Sequence, residues 1–307
     1  MPLFSIVVPC FNAEKTIGAT LASLRAQSCA DWEAICIDDG SSDATREYVK
    51  RAAKRDPRIR LATNPGKGPS EARNHGAMSL AKGNLIAFCD ADDIWTPSKL
   101  DQLTTTFQDA SVDAAYGRIA FFSSHPSDAK AFSTVPTSDL TIDMLLGENP
   151  VCTMSNITVR KEIITAAGGF DTTMVHNEDL EWLIRLVGNG ARIVGIDHLH
   201  TWYRTSVGGL SSDLAAMFEG RVRAIATAAE FGVIPSGKSD AIHHRYLARR
   251  ALRLGHDRFE PLRYAIKGVA RDPVGFLFPL RRGGLTFVAA LCVTVLPRAT
   301  SINLFSR

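Results

Sequence analysis

The sequence predicts an α/β fold, a mostly parallel sheet flanked by helices, followed by a helical C-terminal extension. Two patterns predict it. Strand-like apolar runs alternate with amphipathic helix patterns through the first half of the chain, and amphipathic helices with a basic tail follow Leu214. The 307 residues exceed the roughly 100–200 typical of one domain, so a large domain over 1–212 and a smaller region over 213–307 are expected.

Phe4–Val8, apolar except for Ser5, reads as a buried strand. Ile17, Leu21 and Leu24 then recur at helical spacing. Glu33–Ile37 reads as a second strand, and Asp38-Asp39-Gly40-Ser41-Ser42-Asp43 as a turn leading into a helix through Arg55. Ile59–Ala62 is a third strand. The loop Pro65–Pro69 leads into a helix over Ser70–Ala81, and Leu85–Cys89 is a fourth strand. Beyond it, Pro97–Phe107 reads as a helix, Ala114–Phe122 as a strand and Ser123–Ser138 as a loop. Asn177–Val187 is a helix with Leu180, Leu183, Ile184 and Val187 on one side, and two or three amphipathic helices fill Leu214–Arg271.

Hydrophobic residues at 45% and charged residues at 22% exclude disordered and collagenous classes, and a mean hydropathy of zero excludes a polytopic membrane protein. The six cysteines show neither a CxxC pair nor a dense framework, which predicts reduced, intracellular thiols and a cytoplasmic protein. The N-terminus has no basic region before its apolar run and no small-residue cleavage site, so nothing signals export. The apolar run Leu285–Leu296 has about 12 residues where a membrane span needs about 20. It either packs on the rest of the protein or mediates dimerisation.

Charge is unevenly placed. Residues 243–307 hold twelve Lys and Arg against Asp257, Glu260 and Asp272, a net of +9, which leaves −6 on the first 242. Such a tail suits an anionic membrane surface, a nucleic acid or simply a solvated helix face. The acidic remainder opposes the nucleic acid.

In open parallel sheets, ligands bind beyond the carboxyl ends of the strands. Three polar segments stand there: Pro9-Cys10-Phe11-Asn12-Ala13-Glu14, Asp38-Asp39 and Asp90-Ala91-Asp92-Asp93. Carboxylates gathered in one crevice repel each other, and a divalent cation is the usual compensation. An EF-hand is excluded, because Trp95 and Asp101 occupy the positions where its loop needs Gly and Glu. Asp93 also has the position of a cap for the next helix. Gly66-Lys67-Gly68-Pro69-Ser70-Glu71 lacks the third glycine of a dinucleotide loop, and no GxxxxGK[ST] occurs. A metal must then neutralise any phosphate, with Lys67 or Arg73 assisting.

These segments together resemble the family-2 glycosyltransferases of GT-A, Rossmann-like fold. The match runs through Ser5-Ile6-Val7-Val8-Pro9-Cys10-Phe11-Asn12, Ile37-Asp38-Asp39-Gly40-Ser41-Ser42-Asp43, Ala72-Arg73-Asn74-His75-Gly76 with Ala81-Lys82-Gly83, Asp90-Ala91-Asp92-Asp93 and Asn177-Glu178-Asp179. It spans roughly residues 3–210. The resemblance implies transfer of a hexose from a nucleoside diphosphate sugar, UDP-sugar favoured, to a glycan or lipid-linked acceptor in cell-surface polysaccharide synthesis. It implies a nucleotide site built from Pro9, Cys10, Phe11, Asn12, Glu14, Asp38, Asp39, Arg73, Asp90, Ala91 and Arg204, with Asp39 accepting the imino proton of the base. Asp92, with Asp90, would hold Mn²⁺ or Mg²⁺ against the diphosphate.

Asp179 matches the catalytic base, which takes the acceptor's proton in a single inverting displacement, and Glu178 would orient the acceptor. Acids are also favoured at a helix start, the plainer account of both, and a surface arginine is the plainer account of Arg73. Relatives carry a Tyr-Arg-x-His-x-x-Ser segment. Here Tyr203-Arg204 is followed by Thr205-Ser206-Val207-Gly208-Gly209, so the histidine is missing and Arg204 acts alone or with backbone N–H groups of the Gly208-Gly209 loop. His176, His198 and His200 have no ligand spacing. Trp182 and Trp202 suit either core packing or stacking on a sugar. A nucleotide-sugar-binding module without turnover is the alternative, and Asp179 argues against it. The basic tail adds an expected peripheral position at the inner membrane face.

Overall fold

The computed structural model describes residues 1–205, 214–255 and 257–296. They form two compact units: Met1–Leu140 with Pro150–Ala224, and Thr141–Asn149 with Ile225–Arg307. This division differs from the expected boundary at 212. It falls inside a helix, and a nine-residue excursion from the first unit joins the second, a non-local association that no local pattern announces.

The first unit opens with β1 (Phe4–Cys10), α1 (Ile17–Arg25), β2 (Trp32–Asp38), α2 (Thr45–Arg55), β3 (Ile59–Thr63), α3 (Gly68–Asn74) and β4 (Leu85–Phe88). It continues with β5 (Ile94–Trp95), α4 (Lys99–Thr106), β6 (Ala114–Phe122) and β7 (Ala131–Phe132). After α5 (Ile142–Gly147), which lies in the second unit, come β8 (Ile157–Arg160), α6 (Lys161–Ala166), α7 (Glu178–Gly188), β9 (Ile193–Arg204) and α8 (Leu214–Glu230).

The sheet runs β3-β2-β1-β4-β8-β6-β9-β5, with β7 on β6. β3, β2, β1 and β4 are parallel, as their alternation with helices requires. β8 then lies antiparallel between β4 and β6, which makes the sheet mixed. β1 has β2 on one side and β4 on the other, so the strand order reverses there and a crevice opens at the carboxyl ends of β1 and β4.

Local sequence explains how the opposite edge, at the amino ends of β1 and β4, is held. Ser5 Oγ accepts the N–H groups of Lys82 and Gly83 at 3.1 and 2.8 Å, and Ser5 donates to Glu33 Oε1 at 2.8 Å. Burial raises the Glu33 pKa, but the Lys82 N–H, the Ser5 hydroxyl and Arg60 outweigh it and hold the carboxyl below its ordinary value. A Cβ on Gly83 would sit 2.8 Å from the Leu3 carbonyl oxygen, so Ala81-Lys82-Gly83 is a backbone-packing motif. The helix expected over Ser70–Ala81 is instead α3 from Gly68, continued as a π-helical turn over His75–Leu80. There Gly76 presses on Val7, where a Cβ would meet Cγ1 at 2.4 Å. The loop expected over Ser123–Ser138 contains a 3₁₀ turn, Pro126–Asp128, as well as β7.

In the second unit α5 is joined by α9 (Gly237–Leu254), α10 (Glu260–Arg271), α11 (Pro273–Leu277) and α12 (Gly283–Val295). Ser236 caps α9 by accepting the Ser239 N–H at 3.0 Å, Gly255 ends it in the left-handed region, and Asp272 caps α11. Ala241, Ala265, Phe276 and Ala290 form its core. The small residues let the helices approach around Phe276, which lies 2.3 Å from where a Cβ on Gly268 would stand. Among the described residues no helix is long and apolar enough to cross a membrane.

Candidate active site

Two loops form the first part of the crevice. The Asn12 and Ser42 backbone N–H groups donate to Ser41 Oγ and Asn12 Oδ1, at 3.1 and 2.9 Å. Glu14 Oε2 accepts the Ala44 N–H and Asp43 Oδ2 the Glu14 N–H, both at 3.0 Å. Asn12 and Glu14 thereby lace the loop after β1 to the loop after β2. Asp38 is buried and receives Arg46 at 2.7 Å, together with the N–H groups of Gly40 and Ser41. Asp39 receives Asn64 Nδ2 at 2.7 Å and the Gly68 N–H at 2.9 Å, which ties it to the start of α3. The Cys10 side chain is buried in the core, whereas Phe11 stands exposed beside it.

The second part is a chain of charges. Arg73 lies on α3 about 7.5 Å along the axis from Gly68. Its guanidinium is buried and donates to Asp90 Oδ1 at 2.9 Å and to Glu178 Oε1 at 3.1 Å. It is therefore no surface arginine. Burial alone would lower its pKa, but Asp90 and Glu178 raise it above the ordinary value. Thr153 donates to the other Asp90 oxygen at 3.4 Å, and the Asp90 N–H donates to Ser155 Oγ at 2.8 Å.

Asp179 follows Glu178 in the first turn of α7. Burial and then the Glu178 carboxylate push its pKa up to about 7, against the N–H groups of Leu180 and of Asp179 itself and the charge of Arg73. The helix start thus contributes, as the plainer account of Asp179 holds, yet desolvation outweighs it. Asn177 precedes the helix at a φ of 59° and donates to the Met217 carbonyl at 2.7 Å rather than capping α7.

Asp92 is pushed up to about 6, first by burial and then by Asp90, with Arg204 opposing. Its carboxylate has no side-chain hydrogen bond among the described residues, while its carbonyl accepts Arg204 Nε at 3.1 Å. Arg204 also lies over the Phe122 ring, and its N–H donates to Asp93 Oδ1 at 2.9 Å. Asp93 is fully buried and does not cap α4, so the capping role open to it in the sequence is corrected: it pins β9 to the Asp92 loop. Asp90 and Asp92 present hard oxygen donors whose mutual repulsion a divalent cation would offset, and in that sense they fit one. Among the described residues no three His, Cys, Asp or Glu gather as a metal site, so bound phosphates and water would complete the coordination.

Beneath this loop lies a brace that the sequence reading does not single out. The Ser155 carbonyl accepts Lys99 Nζ at 2.6 Å, Trp95 Nε1 at 2.9 Å and Thr201 Oγ1 at 3.1 Å. Lys99 is fully buried over the Trp95 ring, and desolvation brings its pKa down to about 7. The one available signal is a lysine two residues after Thr96-Pro97, which also suits a solvated helix start. Trp182 is core, stacked on Phe170 at 4.3 Å. His200 is buried with Nε2 2.9 Å from Gln102 Oε1. Gly208 and Gly209 lie outside the described residues.

The chain is similar to several known proteins. The β-1,3-glucosyltransferase WfgD of Escherichia coli, named for UDP-Glc and α-D-GlcNAc-diphosphoundecaprenol, is 34% identical over 213 residues, 69% of this chain and 80% of the relative. S. aureus TarS 1-349 in complex with UDP superposes with a TM-score of 0.59 at 18% identity, over 100% of this chain and 90% of that one. The mannosyltransferase PcManGT of Pyrobaculum calidifontis, in complex with GDP-Man and Mn²⁺, does so with 0.60 at 18% identity, over 99% and 84%. At these identities the two structures speak for the GT-A fold alone. The family model described as glycosyl transferase family 2 matches residues 5–166, and on that match and the WfgD relationship the chain belongs to glycosyl transferase family 2.

Proposed function

We propose that the protein is an inverting glycosyltransferase that transfers a hexose from a UDP-sugar to a glycan or lipid-linked acceptor in cell-surface polysaccharide assembly. Family membership supports the reaction class, and the WfgD name supports the donor and a diphospholipid-linked acceptor. The observation that carries the reading is Asp179, a partly buried carboxylate that desolvation and Glu178 push up to about 7, beside the Arg73–Asp90–Glu178 chain. A base tuned to the working pH can take a proton and release it again.

In the proposed step, the acceptor hydroxyl oxygen bonds to the anomeric carbon as the carbon–oxygen bond to the diphosphate breaks. The hydroxyl proton passes to Asp179 and the bonding pair leaves with the nucleoside diphosphate. Glu178, held by Arg73, orients the acceptor. Pro9, Cys10 and Phe11 frame the base, with Phe11 the exposed ring available for stacking, and Asp39 accepts from it. Asn12, Glu14 and Asp38 shape those loops, while Ala91 lies between Asp90, at the ribose, and Asp92. Asp92, assisted by Asp90, would hold Mn²⁺ or Mg²⁺, which when bound neutralises the diphosphate. Arg204 supports the same loop.

Exposed Phe278, Leu280, Leu285 and Val288 beside exposed Arg281 support a peripheral position on an anionic membrane surface. The test is transfer from UDP-glucose, UDP-GlcNAc and GDP-mannose, with Mn²⁺, to a GlcNAc-diphospholipid, followed by NMR of the product. A β-linked hexose from the α-linked UDP donor is expected. An α-linked product, or nucleotide binding without transfer to any acceptor, would overturn the reading.

A further inference from the structure

Within the second unit, one carboxylate stands among an excess of arginines that the transfer reaction does not use. Glu148, just after α5, receives Arg282 at 2.5 Å, Arg249 at 3.4 Å and Arg245 at 4.0 Å. Arg245, Arg249 and Arg253 follow each other at four-residue steps along α9, so their side chains share one stripe, and Arg250 adjoins it. Like charges so spaced disfavour the helix that carries them. Burial is graded along the stripe: the Arg245 side chain is 6% exposed, Arg249 30% exposed, and Arg253 reaches solvent.

The donors are incompletely used. Arg245 Nη1 is spent on the carbonyls of Gly275, Phe276 and Phe278, at 3.0, 3.3 and 2.7 Å, but among the described residues its buried Nε has no partner, nor has the buried Nε of Arg250. Arg249 makes one long contact and Arg253 no ion pair among the described residues. Burial, and then the charge of Arg282, bring the Arg249 pKa down to about 10, a sign that Glu148 does not compensate the cluster.

We propose that Arg249, Arg253 and Arg282, with Arg245 behind them, form a binding site for a phosphate or diphosphate group. Guanidinium groups present planar, bidentate donors that match phosphate oxygens, and a dianion would supply the charge that Glu148 cannot. Glu148 acts as a placeholder, holding the arginines in position when the anion is absent. The anion has two sources, a soluble phosphate compound or a phospholipid headgroup.

The test measures binding of inorganic pyrophosphate by calorimetry, in EDTA and at constant ionic strength. It also measures co-sedimentation with vesicles of phosphatidylcholine and with vesicles containing phosphatidylglycerol. The proteins are the full chain, R249Q/R253Q, E148Q and D92A. R249Q/R253Q should weaken pyrophosphate binding by at least roughly ten- to a hundredfold, the value of one charged hydrogen bond. Its melting temperature without anion should equal or exceed that of the parent, since repulsion is relieved. E148Q should bind pyrophosphate more tightly, and D92A should bind it like the parent.

Vesicle binding lost in the same double variant assigns the headgroup as a source; vesicle binding unchanged assigns the soluble compound. Pyrophosphate binding that is absent, or indifferent to R249Q/R253Q, overturns the proposal. So does a double variant that melts well below the parent without anion, which would make the arginines structural.

Discussion

Arg73 is one guanidinium shared between Asp90 and Glu178, so it couples the end of β4 to the start of α7. Removing it by Arg73→Ala leaves two largely buried carboxylates without their cation, a loss of about 3–5 kcal/mol where a buried pair is broken. Chemical denaturation should show that loss and contradicts the coupling if stability is unchanged. The Asp92 carboxylate accepts no hydrogen bond from another residue's side chain among the described residues. Asp92→Ala should weaken Mn²⁺-dependent UDP binding by at least about tenfold, an effect known even for groups one shell beyond the metal. Titration calorimetry with and without Mn²⁺ reads it, and equal affinities refute the assignment.

The raised Asp179 pKa fixes two signs. Its carboxylate is an active base only when deprotonated, so transfer should rise with pH and level off above about 7. Between the ordinary carboxylate value and about 7, the folded protein keeps a proton that the unfolded chain releases. Stability should therefore fall as pH rises through that window, by up to about 1.4 kcal/mol per pH unit. In Asp179→Asn the melting temperature should fall less steeply from about pH 5 to about pH 7.

At the level of elements, two glycines test how tightly the strands and helices of the sheet are packed. A Cβ on Gly83 would stand 2.8 Å from three backbone atoms of Leu3, Phe4 and Ser5, which cannot turn away as a side chain can. Gly83→Ala should cost about 1–3 kcal/mol as overpacking. Gly18 on α1 has nothing within 4 Å, so Gly18→Ala should be neutral or gain up to about 1 kcal/mol from helix propensity. Thermal melts that rank the two variants the other way would refute this packing account.

β1, β2 and β4 were legible because each is a largely apolar run bounded by turn residues, β3 because Ile59 and Leu61 flank Arg60 between turns, and the carboxylates followed from those strand ends. β8 was not: Ile157-Thr158-Val159-Arg160 is too short to separate from loop, and its place between β4 and β6 depends on distant pairing. β9 carries Asp197, His198 and His200 in a sequence with no alternation, because part of it is exposed and part buried. The Ser155 carbonyl that gathers Lys99, Trp95 and Thr201 is a backbone acceptor, which sequence patterns do not display.

For the whole molecule, charge divides by region. The acidic first 242 residues hold the carboxylate crevice, and the basic remainder holds exposed Phe278, Leu280, Leu285 and Val288. The full chain should sediment with anionic vesicles, less so as salt rises, because each basic residue near such a surface contributes about 1 kcal/mol that ions screen. Phe278→Ser with Leu285→Ser should reduce sedimentation at every salt concentration; unchanged sedimentation would remove the apolar contact from the account. The central claim is that this family-2 protein transfers sugar with Asp179 as its base. The most direct measurement is the transfer rate of Asp179→Asn at saturating UDP-sugar, with UDP affinity measured on the same sample. A loss of roughly 10²- to 10⁴-fold with affinity unchanged is predicted, and a rate near that of the parent would contradict it.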